Sequence, residues 1–141
     1  MEAKTAKTVI AVSDVPMLET PDGVMRDSVL VDASTGAHDM TAGIVWVRPN
    51  ATIHEDSHEF DEVYYVIRGE AEVVIEDVPH PMEAGNAVLI PAHKRHHVRN
   101  TTDEVFEIFW CIATGWETLR QISNEMGTWP VVDATTGWHL P

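Results

Sequence analysis

The chain is poor in cysteine and in positive charge, and each shortage excludes a class of function. Cys111 stands alone among 141 residues, so no internal disulfide forms and no thiolate-rich zinc site can be built within one chain. Lysine and arginine number 9 against 23 acidic residues, a formal charge of −14. That excess repels nucleic acid and anionic lipid, which bind proteins mainly through neutralisation of their own charge, so neither is expected as a partner. Long apolar runs are missing too, and none approaches the ~20 residues of a membrane-spanning helix. The opening Met1-Glu2-Ala3-Lys4 leads into polar residues, not into the apolar stretch of a signal peptide. A soluble, cytoplasmic protein is the expectation. Internal repeats are absent as well, and the length suits one domain over residues 1–141.

What is present is a series of short β-rich runs. They are Thr8 to Val12, Val24 to Val31, Ala42 to Val47, Val63 to Ile67, Ala71 to Ile75, Ala87 to Ile90, His96 to Arg99 and Val105 to Ile112. Turn-forming residues separate them, among them Pro21-Asp22-Gly23, Arg48-Pro49-Asn50, Arg68-Gly69, Pro79-His80-Pro81 and Ala84-Gly85-Asn86. Short strands at this spacing predict an all-β sandwich or barrel. After Gly115 the period changes. Leu119, Ile122 and Met126 share one side of a helical pattern that Gly127 stops, which predicts one short C-terminal helix. The tail to Pro141 has tryptophans but no period.

Six of the eight histidines lie between residues 50 and 100. Five fall in two stretches, His54-Glu55-Asp56-Ser57-His58-Glu59-Phe60-Asp61-Glu62 and Pro91-Ala92-His93-Lys94-Arg95-His96-His97. Imidazoles and carboxylates gathered on neighbouring strands are what a divalent transition metal needs. Were the first stretch extended, His54, Asp56 and His58 would point to one face. Asp56 and His58 would then stand ~7 Å apart, and His54 ~13 Å from His58, joining only through a bulge or bend.

The spacing of both stretches resembles the cupin family, whose fold is a jelly-roll barrel, the double-stranded β-helix. Gly85, Pro91, His96 and Asn100 fall at the intervals of that family's second motif, with His93 where the family prefers glycine. Asn50, Asp56-Ser57-His58, Glu62 and Gly69 fall at those of its first, with Asn50 replacing a glycine and Asp56 replacing the first histidine. The resemblance extends over residues 40–112, with N-terminal strands over 8–31 and the helix and tail over 116–141. It implies that His58, Glu62 and His96 bind one metal ion, with Asp56 in the substituted position and His54 as its competitor for a fourth place.

Two histidines with one or two carboxylates suit Fe(II) or Mn(II) first and Zn(II) next. Tyr64 shares parity with Glu62 and is the candidate catalytic acid or base, the alternative being a packed barrel tyrosine. His93, His97 and the neighbouring Lys94, Arg95 and Arg99 read as a basic rim, with Arg95 or Arg99 as a second-rank contact for a substrate carboxylate. Cys111 reads as a small buried hydrophobe. The resemblance implies a metal-dependent enzyme acting on a small molecule inside the barrel, either an oxygenase or a cyclase, isomerase or lyase. The opening Lys7 to Val15 and the compact length are similar to cupin-type aromatic polyketide cyclases. A cupin that binds or senses a small ligand without catalysis is the alternative, and homodimerisation is expected from the family.

Overall fold

Strict alternation of buried and less buried residues in Phe106–Ala113 and His96–Asn100 is the period of chains that cover a core with one face only. Such strands account for most of the computed structural model, which describes residues 8–113, 126–133 and 138. In chain order they are β1 Met17–Glu19, β2 Met25–Val31, β3 Met40–Val47, β4 Ala51–Thr52, β5 Glu62–Arg68, β6 Glu70–Ile75, β7 Val78–Glu83, β8 Ala87–Ile90, β9 His96–Asn100, β10 Phe106–Ala113 and β11 Val131–Val132. Seven of them form one antiparallel sheet in the order β11-β1-β2-β3-β10-β5-β8. The other four form a second, β4-β9-β6-β7. The expected all-β jelly roll is the architecture found.

The inner faces meet in one apolar cluster that includes Val47, Val66, Val73, Ile90, Phe106 and Ile108. Phe106 and Ile90 are wholly buried, and burial of such a side chain stabilises by roughly 1.5–3 kcal/mol. Strand β3 is buried on both faces. Its outward Ile44 and Trp46 pack on Trp138, and the Arg26 and Arg48 guanidiniums lie 4.6 and 5.1 Å from the centre of that ring. A continuous apolar run replaces alternation there because both sides are covered.

Close approach dictates one glycine. A Cβ on Gly43 would stand 2.4 Å from the carbonyl oxygen of Ser28, and the β2–β3 register slips beside it, between Val29 and Val31. Asn100 ties the far end of the barrel together. Buried at 1% exposure, its amide donates to the carbonyls of Glu104 at 2.8 Å and Arg48 at 3.1 Å, and its oxygen accepts from the Thr102 backbone and hydroxyl. Replacing Asn100 with Ala strands those buried groups and is expected to lower unfolding free energy by about 2–3 kcal/mol, read from the midpoint of urea denaturation.

Two expectations meet a different outcome. Thr8 to Val12 forms no strand: Val9 is exposed, and Val12–Asp14 make a single 3-10 turn closed by Asp14 on the Ala11 amide. Pro79-His80-Pro81 is no turn but part of β7, the edge strand of the smaller sheet. Proline is tolerated at an edge because its missing N–H faces away from the ladder. The actual turn is Glu76-Asp77, with φ of 47° and 66°, the pair of positive values that a two-residue hairpin requires. The helix expected over 116–126 lies outside the described residues apart from Met126.

Candidate metal centre

Glu62 opens β5, His96 opens β9, and His58 comes from the irregular segment that precedes β5. Antiparallel pairing brings these positions into one place. Asp56 exchanges both backbone hydrogen bonds with His96 at 2.9 Å, so the segment carrying His58 is clamped against β9. The His93 amide donates to the His58 carbonyl at 2.7 Å, which holds the second motif's turn on the first.

The three side chains converge. One donor atom from each of His58, Glu62 and His96 lies within 4.8 Å of the others. Glu62 Oε1 is 3.5 Å from His58 Nε2 and 3.4 Å from His96 Nε2. Metal bonds of about 2.1 Å at a tetrahedral angle separate donors by about 3.4 Å, so the spacing fits a divalent transition ion. Tautomers fit as well. His58 Nδ1 lies 2.9 Å from the Phe60 carbonyl and His96 Nδ1 2.9 Å from that of Lys94. A carbonyl only accepts, so both Nδ1 atoms carry hydrogen and both Nε2 atoms face Glu62, where they offer lone pairs to a metal when neutral and donate to the carboxylate when protonated. The His58 ring is further fixed by stacking on Phe60, centres 4.2 Å apart.

Burial opposes charge on both imidazoles, but hydrogen bonding to Glu62 and its negative charge outweigh burial and raise both pKa values. Burial likewise works against ionised Glu62, and hydrogen bonds from the two rings overcome it, so its pKa is lowered. Neutral imidazoles would supply no such pull.

Asp56 and His54 stand outside this trio. Both border the same cavity, but Asp56 is exposed and its Oδ1 accepts from the Ser57 amide at 2.8 Å. Residues 53–61 do not run as a continuous strand; only Asp56 bridges. The continuous strand expected to carry His54, Asp56 and His58 therefore does not form, although all three border the same cavity. Tyr64 is buried and lines the cavity. Burial first, then the charge of Glu62, raises its phenol well above the ordinary value, so it stays protonated.

The arginines of the rim are engaged elsewhere. Arg95 bonds Glu76 and Asp77, each at 3.1 Å, and reaches Glu55 at 3.4 Å; Arg99 pairs with Glu72. Neither remains the substrate contact considered from the sequence. Cys111 is half-buried rather than buried.

The cavity measures about 510 Å³ and is walled by Val45, Ile53, Val98, Ile108, Trp110 and Ile112 together with the trio. Asp27 also lines it. It is 5% exposed, and its Oδ1 accepts from Trp110 Nε1 at 3.2 Å. Burial, then the charge of Glu62, pushes its pKa up to about 8 despite that hydrogen bond. Sequence reasoning passed over it. The available signal was a carboxylate sharing strand parity with Met25 and Val29, a face otherwise apolar.

Known proteins place the chain. The cupin domain matches residues 43–112. Protein SchB of Streptomyces halstedii is 38% identical over 67% of this chain and 69% of its own length. Polyketide synthase CurC of Streptomyces cyaneus is 29% identical over 72% of this chain and 66% of its own. The solved structure of the polyketide cyclase RemF from Streptomyces resistomycificus superposes with a TM-score of 0.69 at 19% identity, covering 76% of this chain and 79% of that one, a likeness of fold. Barrel topology, motif register and these matches together make the chain a member of the cupin family.

Proposed function

We propose that the chain is a metal-dependent cyclase that folds a small polyketone onto itself inside the barrel. The observation that carries this reading is a set of three metal donors opening onto a cavity of about 510 Å³ whose walls include Val45, Ile53, Val98, Ile108 and Ile112. His58, Glu62 and His96 would hold the ion, Fe(II) or Mn(II) before Zn(II). A divalent ion there supplies Lewis acidity toward a carbonyl oxygen. The apolar walls exclude water and favour the compact, bent form of an oligoketone over its hydrated one. Tyr64, kept protonated by burial and by Glu62, donates a hydrogen bond to a ligand oxygen and cannot compete as an anion for the ion. Names borne by relatives, a polyketide synthase and a polyketide cyclase, support the substrate class.

The test is incubation of purified protein, its metal content measured, with a synthetic linear poly-β-ketone thioester under argon. Cyclised product formed faster than in buffer supports the reading. Product only with matching oxygen uptake would make the chain an oxygenase. Tight ligand binding without turnover in either gas would make it a binding protein.

The same reading includes a second copy. Val63, Tyr65 and Ile67 of β5, Leu89 of β8 and Phe109 of β10 are all exposed, and cross-strand partners Val63–Leu89 and Tyr65–Phe109 put them on one outward face. A contiguous apolar face on a chain of net charge −14 suits an isologous contact. Sedimentation is expected to give a dimer, and Tyr65→Glu with Leu89→Glu a monomer; a monomeric wild type would rule out this contact.

A further inference from the structure

Asp27 is a buried carboxylate on the wall of the cavity that neither the metal set nor the barrel's pairing requires. It lies on β2, opposite Val45 of β3, and both residues line the cavity with Ile108 and Trp110. Charged residues are almost never placed at such depth without a partner. Among the described residues its carboxyl accepts a single hydrogen bond, from Trp110 Nε1, at 3.2 Å to Oδ1. It forms no ion pair or hydrogen bond with His58, Glu62 or His96 among those contacts. One oxygen is thus positioned by the indole, and the group borders the space a substrate would fill.

We infer that Asp27 is the proton acceptor that removes an acidic hydrogen from a carbon between two ketones of the bound substrate, with Trp110 as the positioning residue that orients its carboxylate. This rests on the cyclase reading above. The C–H bond breaks, its proton passes to Asp27 and its electron pair becomes the enolate. The enolate carbon then bonds to a second carbonyl carbon of the same molecule, whose π pair moves to oxygen, and that oxygen takes the proton from Asp27. Loss of water repeats the traffic: a second C–H proton goes to Asp27, a C=C bond forms, and the departing hydroxyl leaves as water with the proton Asp27 held. Each half moves one proton from carbon to oxygen, and Asp27 ends as it began. No oxidant or reductant is needed. Burial strengthens the case, since it lifts the carboxyl to about 8, in the range where a base is both available and strong enough near neutral pH. Tyr64, held protonated, cannot serve as that base, and Glu62 is committed to the metal set.

The experiment compares wild type with Asp27→Asn and Asp27→Ala, each with its metal content measured, on the poly-β-ketone thioester. Asn keeps the size and the acceptor for Trp110, so it removes basicity alone. Expected for Asp27→Asn is a fall in kcat of about 100-fold or more with KM within about threefold of wild type and metal content unchanged. Added formate is expected to restore at least about tenfold of the loss in Asp27→Ala by occupying the vacated space. If wild type cyclises the ketone and Asp27→Asn stays within about threefold of it, the inference falls and the cyclase reading stands. If Asp27→Asn loses metal or affinity for the ketone in step with rate, Asp27 is structural and the inference also falls. If wild type forms no product, the cyclase reading itself fails and takes the inference with it.

Discussion

Protein purified with a transition metal is expected to carry about one equivalent, and His96→Ala or Glu62→Gln below about a tenth of one, by elemental analysis. Both changes remove one donor of three that stand 3.4 and 3.5 Å apart around Glu62 Oε1. Loss of a group that merely orients a ligand lowers metal affinity by about 10–100-fold, and loss of the ligand itself lowers it further. Unfolding gives an independent readout. At a metal concentration a thousandfold above Kd the ion stabilises the folded state by about 4 kcal/mol, and neither variant is expected to gain that increment. Asp56→Ala and His54→Ala are expected to keep their metal, because neither residue joins the trio and the Asp56 carboxylate already caps Ser57. Metal lost from Asp56→Ala while Glu62→Gln stayed loaded would invert this assignment. Protons compete for the same atoms. Glu62 raises the pKa of both rings, so affinity is expected to weaken as pH falls through and below the imidazole range, where Nε2 is protonated.

The barrel was legible because one covered face leaves a period of two, and seven of the eight strand expectations, from Val24–Val31 to Val105–Ile112, correspond to strands. Thr8–Val12 failed because a β-rich run is a strand only when a neighbour accepts its ladder. Pro79 and Pro81 misled in the other direction, since only topology reveals that β7 is an edge. The short strands β1, β4 and β11, two or three residues each, carry too little pattern to be read.

Motif spacing located His58, Glu62 and His96 without any knowledge of which strands pair. It also flagged Asn50 and His93 as departures from glycine, and the backbone gives the reason for the glycine preference. Both residues have positive φ, 54° and 69°, a conformation that asparagine and histidine reach more readily than other side chains. The substitutions preserve the turns. What spacing could not supply was the conformation of residues 53–61, where the assumption of an extended strand put Asp56 and His54 on one face with His58. Asp27 was hidden for a different reason. It lies about thirty residues upstream of the motifs and enters the cavity only because β2 pairs with β3, and β3 with β10.

Asp27→Asn is expected to make the protein more stable, by an amount that grows with pH. A carboxyl of ordinary value 3.8 that burial pushes up to about 8 binds its proton more tightly folded than unfolded. Between those two values the native state therefore holds more protons than the unfolded one, and stability falls as pH rises. The full contribution of the protonated acid is present below 3.8 and lost by about 8, a span worth on the order of 5 kcal/mol. Asparagine does not titrate, and its side-chain oxygen can still accept from Trp110. The histidines and Glu62 titrate in both proteins, so their effects largely cancel in the difference. Urea unfolding at about pH 5.5 and about pH 8.5 should show the advantage of Asp27→Asn widening by about 3 kcal/mol. A difference that stayed flat or narrowed would mean that Asp27 is ionised throughout and is stabilised by its surroundings. The widening difference would instead mark a carboxylate kept at a cost in stability, as is common for groups whose purpose is chemical.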